Sequence, residues 1–126
     1  MLIVEDESII AHDIQQILRE FGYDAYAIAT TAEEALARAS ERRPDIAIVD
    51  IRIKGKLDGI KTAQLLKERF RVPIVYLSAH ADDATLERAT QMGPYGYLVK
   101  PVKPAELRST IEVALQRHRM DTSESS

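Results

Sequence analysis

Cysteine and tryptophan are absent from this chain of 126 residues. Without thiols, a disulfide framework and thiolate metal sites are both excluded. No apolar run approaches the ~20 residues that a membrane span needs, and no signal-peptide core precedes a cleavage site. A cytoplasmic protein with no membrane partner is therefore expected. Neither sign of charge dominates: 17 basic against 20 acidic residues leave a formal charge of -3 and a pI near 5.6. That balance argues against nucleic acid as a direct partner. Glycine and proline occur five times each, and no linker or low-complexity segment interrupts the chain. What remains is 45% hydrophobic and 29% charged, ordinary for one globular domain that buries roughly two-thirds of its unfolded surface.

The hydrophobic residues fall into a repeating pattern. Ile46-Ala47-Ile48-Val49 is a short apolar run that begins after Pro44-Asp45 and ends on Asp50. Such runs read as strands buried on both faces of a parallel sheet. Leu2 to Val4, Asp24 to Ile28, Ile74 to Leu77 and Tyr97 to Val99 read the same way, the second less clearly because it is rich in Ala and Tyr. Between them, apolar residues recur at helical spacing: Ile10, Ile14, Ile17 and Leu18 after a Ser8 cap, and Ala32, Ala35, Leu36 and Ala39 after the capping box Thr31 to Glu34. Ile60, Ala63, Leu66 and Phe70 mark a third helix. Leu86, Ala89 and Met92 after Asp82 or Asp83 mark a fourth, and Leu107, Ile111 and Ala114 after Pro104 a fifth. Five alternating pairs predict a doubly wound α/β domain over residues 1–119, with five helices on both faces of the sheet. Met120 to Ser126 is expected to be a disordered polar tail or the start of a linker. The charged runs Glu41 to Arg43 and Lys67 to Arg69 read as solvated helix faces.

Ligands bind at the carboxyl edge of open α/β sheets. Just past the strands stand Glu5 and Asp6, Asp50, Ser78 and Lys100. Three carboxylates that converge need a cation, and all-oxygen ligation suits Mg²⁺. A carboxylate can attack phosphorus, while a metal, an ammonium and a hydroxyl stabilise the transferred group. In that chemistry Asp50 attacks, Glu5 and Asp6 hold the metal, and Lys100 and Ser78 bind phosphoryl oxygens.

Four ordered motifs sharpen the expectation. Leu2-Ile3-Val4-Glu5-Asp6-Glu7, Ile48-Val49-Asp50, Leu77-Ser78-Ala79 and Gly96-Tyr97-Leu98-Val99-Lys100-Pro101 resemble the signatures of CheY-like response-regulator receiver domains of two-component signalling. The resemblance implies strand order 2-1-3-4-5 and a phosphoryl group taken by Asp50 from a histidine kinase or a histidine phosphotransfer domain. It implies Mg²⁺ held by Glu5, Asp6, Asp50 and the backbone carbonyl of Arg52, and a cis bond before Pro101. It further implies a switch in which Ser78 and Tyr97 move and repack the face of the fourth helix, fifth strand and fifth helix, where an output partner or fused domain docks. Arg52 and His80 occupy positions that tune phosphoryl lifetime in the family. Three departures stand out: Glu5 in place of the common Asp, Ser78 in place of Thr, and a loop after Asp50 without Met-Pro. An aspartate-nucleophile phosphatase is the rival enzyme reading, but such enzymes carry an Asp where Arg52 stands. A pseudo-receiver that binds without phosphorylation is the third. The expected molecule is a switch and not a turnover enzyme.

Overall fold

The computed structural model describes residues 1–52, 59–79 and 93–124. Five strands, β1 (Leu2–Val4), β2 (Ala27–Ala29), β3 (Ala47–Asp50), β4 (Ile74–Ser78) and β5 (Gly96–Val99), pair in parallel in the order β2-β1-β3-β4-β5. Among the described residues four helices cover them: α1 (Ser8–Glu20), α2 (Ala32–Glu41), α3 (Gly59–Phe70) and α4 (Pro104–Glu124). The helix expected after Asp82 lies outside the described residues.

Alternation along the strands divides the core in two. Leu2, Val4, Val49 and Tyr76 pack with Ala35 and Ala39 of α2 and Ala63 and Leu66 of α3. Ile3, Ile48, Val75, Leu77 and Leu98 pack with Ile14 and Leu18 of α1 and Leu107 and Ile111 of α4. Because β1 and β3 are covered on both sides, their sequences show no polar alternation.

Several boundaries differ from those expected. β2 forms at Ala27–Ala29, where three residues pair with β1, and not from Asp24. Glu7 and not Ser8 takes the N-cap of α1, and its side chain makes no capping hydrogen bond. At α2 the Thr31 hydroxyl accepts the Glu34 N–H at 3.1 Å, as a capping box requires. The Glu34 carboxylate, however, turns to the N–H and hydroxyl of Thr30 at 3.3 and 3.1 Å. α4 runs through Met120 to Glu124 where a tail was expected. No Gly or Pro follows Pro104 to stop it, and Tyr95 donates a hydrogen bond to Asp121. Nor are the charged runs merely solvated: Arg43 donates to the carbonyls of Phe70 at 2.6 Å and Arg71 at 3.1 Å, covering the end of α3.

Candidate functional site

The three central strands bring the polar residues to one edge. Beyond β1, the Glu5 N–H still bonds Ala29 O at 2.9 Å, which keeps Glu5 in line with the sheet. Its side chain is fully buried. Oε1 accepts the Glu7 N–H at 3.1 Å, and Oε2 lies 2.9 Å from Lys100 Nζ. That second contact is an ion pair whose angle departs from a hydrogen bond.

Asp50 closes β3 opposite Leu77 and is 4% exposed. Its Oδ1 accepts the Arg52 N–H at 3.0 Å and its Oδ2 accepts from Lys100 Nζ at 2.9 Å. Behind it, the first residue of α3 comes very close: Gly59 N–H bonds Ile51 O at 2.9 Å, and a Cβ on Gly59 would lie 1.8 Å from Asp50 O. Only glycine lets α3 start there.

Lys100 arrives from the far side. Its N–H bonds Ser78 O at 2.8 Å, extending the β4–β5 ladder by one step, and the bond to Pro101 is cis. From there the side chain reaches back across the β4 end to Asp50 and Glu5. Ser78 ends β4 opposite Val99, on the same edge. Tyr97, half-buried, tilts against Tyr76 with ring centres 5.8 Å apart. His80 lies outside the described residues.

The electrostatics follow from burial. Loss of solvent drives the Glu5 carboxyl up from 4.5 to about 7; Lys100 and the Glu7 N–H pull against this, while Asp50 adds to it. Burial opposes the charge on Lys100, but Glu5 and Asp50 outweigh it and hold its pKa above the ordinary value. One oxygen from each of Glu5, Asp6 and Asp50 lies within 4.8 Å of the others. That set of hard oxygen donors, two of them buried, fits a divalent cation.

Two contributors escape a reading of the sequence. Glu7 Oε1 stands 3.7 Å from Lys100 Nζ, yet in the sequence it is one more acid in a run. Gly59 reads as a helix entry. A weak helix former at a first position was the available sign of close approach.

The family model for the response regulator receiver domain matches residues 1–112. The chain belongs to that family. It is 37% identical over 119 residues to the transcriptional regulatory protein PdtaR of Mycobacterium tuberculosis, covering 94% of this chain and 58% of that protein. The DNA-binding response regulator MtrA of Mycobacterium leprae is 31% identical over 118 residues, with 94% and 52% covered. Among solved structures, the receiver domain of a modulated diguanylate cyclase from Desulfovibrio desulfuricans superposes with TM-score 0.90 at 38% identity, covering 95% of each chain. The receiver domain of NtrX from Brucella abortus gives 0.85 at 32%, covering 91% of this chain and 97% of that one. This receiver domain is thus a response-regulator module of two-component signalling. It spans little more than half the length of the curated relatives. No helix among the described residues is long and apolar enough to cross a membrane.

Proposed function

We propose that this receiver domain, residues 1–119, takes a phosphoryl group on Asp50 from a phosphohistidine. The donor is a histidine kinase or a histidine phosphotransfer domain. A carboxylate oxygen of Asp50 attacks phosphorus, the P–N bond to the imidazole breaks, and the freed ring nitrogen takes up a proton. Glu5, Asp6, Asp50 and the Arg52 carbonyl are the residues that would hold Mg²⁺. Bound there, the ion supplies positive charge to the phosphoryl oxygens. Lys100 and the Ser78 hydroxyl hold the remaining oxygens, and Arg52 and His80 set how long the acyl phosphate lasts.

The observation that carries this reading is the placement of Asp50. It ends the central strand almost fully buried, with the Lys100 ammonium 2.9 Å from Oδ2 and two further carboxylates beside it. The output follows from Ser78 and Tyr97: both stand on β4 and β5, so a shift of Ser78 toward the phosphoryl group makes room for the Tyr97 ring to turn inward. The surface around β5 and α4 then presents a different face to an output partner or a fused domain.

Incubation with acetyl phosphate and Mg²⁺, followed by intact-mass measurement, tests the assignment. One phosphoryl adduct is expected on the wild type and none on Asp50→Asn or with the metal removed. An adduct that persists on Asp50→Asn would place the acceptor elsewhere.

A further inference from the structure

We propose that Glu5, by reaching the Lys100 ammonium, sets how readily the acidic pocket exchanges that ammonium for a divalent cation. The inference rests on Glu5, Asp6 and Asp50 being the metal ligands. Lys100 Nζ lies 2.9 Å from Glu5 Oε2, 2.9 Å from Asp50 Oδ2 and 3.7 Å from Glu7 Oε1. Two of those three carboxylates also belong to the set whose oxygens converge within 4.8 Å. The ammonium and a metal ion therefore draw on the same two carboxylates. The ammonium has the advantage of being tethered, and a divalent ion prevails only through its greater charge.

Glu5 decides the contest because of how it is held. The Glu7 N–H fixes Oε1, which leaves Oε2 buried with no aligned donor and, among the described residues, the lysine as its counter-charge. An aspartate at this position, shorter by one C–C bond of roughly 1.5 Å, would not reach the ammonium. Glutamate thus extends the lysine's hold from one buried carboxylate to two. With a metal held by Glu5, the ammonium would lose that anchor and would be available to the oxygens of an incoming phosphoryl group.

Calorimetric titration of MgCl₂ into the wild type, Glu5→Asp, Lys100→Met and the double variant tests this, with acetyl phosphate labelling of the wild type run in parallel. Lys100→Met is expected to bind Mg²⁺ about tenfold tighter, a coupling of the size seen between groups in direct contact. Glu5→Asp is expected to bind several-fold tighter, and the double variant no tighter than Lys100→Met alone. An equal gain from Glu5→Asp with and without the lysine overturns the proposal, as does unchanged or weaker binding in either single variant. Glu5→Asp keeps the charge and the lysine, so unchanged or weaker affinity there overturns it even if Lys100→Met proves too unstable to titrate. No Mg²⁺ binding by any of the four proteins overturns the metal assignment itself, whereas binding that ignores the lysine overturns this proposal alone.

Discussion

Glu5 is a fully buried carboxyl whose pKa rises from 4.5 to about 7, chiefly because burial removes its solvent. Between those two values the folded protein holds more protons at Glu5 than the unfolded chain does. Stability from this group is therefore complete below 4.5 and is lost as pH rises through about 7. Lys100 does not disturb that window, since its pKa is raised and it stays charged throughout. In the absence of Mg²⁺ the denaturant midpoint of the wild type should fall, relative to Glu5→Gln, as pH climbs from 4.5 to 7. A difference between the two proteins that stays flat across that range would show that Glu5 does not titrate there. At this scale the sequence was informative about chemistry and silent about contacts. Glu5, Asp6, Asp50, Ser78 and Lys100 are legible because each stands just past an apolar run. The approach of Gly59 to Asp50 is not, since no periodicity links the end of β3 to the start of α3.

Among the elements, α3 ends in a way the sequence does not announce. Arg71 takes a left-handed backbone at φ 55°, its N–H bonds Lys67 O at 3.0 Å, and the Val72 N–H reaches Leu66 O at 3.4 Å. The first of these bonds, with the left-handed residue donating it, is the αL form of helix end, a place usually held by glycine. A side chain there costs about 1–2 kcal/mol in backbone strain, while glycine would cost about 0.4–1 kcal/mol through the freer unfolded chain. Arg71→Gly is expected to raise stability by about 0.5–1 kcal/mol, since Arg43 bonds a backbone carbonyl that the substitution keeps. The check is a higher urea midpoint with an unchanged slope; a lower midpoint would mean that the arginine side chain contributes more than its backbone costs. In the four described helices the inner faces were legible because periodicity survives local detail. Ends were less so: Glu7 displaced Ser8 as the α1 cap, Thr30 drew Glu34 away from Thr31, and nothing within α4 signals a stop before Glu124.

For the whole molecule, the alternation of strands and helices foretold a doubly wound parallel sheet, while its order came through the family resemblance. Neither periodicity nor composition conveys how tightly the site knits the sheet together. Glu5 follows β1, Asp50 ends β3 and Lys100 follows β5, so the pocket ties three strands that no single hairpin joins. Each of these strands is also anchored in the two cores on its opposite faces. A ligand that engages Glu5, Asp6 and Asp50 must then stabilise the domain as a unit, because releasing any one strand destroys the site. Binding to the folded state alone adds about 2.7 kcal/mol when the ligand stands a hundredfold above its dissociation constant. Saturating Mg²⁺ should therefore raise the unfolding free energy by about that amount. Hydrogen exchange should slow in β1, β3 and both helix layers together, and Asp50→Asn should abolish most of the gain. Protection confined to the loop around Asp6, with the strands unchanged, would show that the ion sits on the surface of the acidic run and does not bridge β1 to β3.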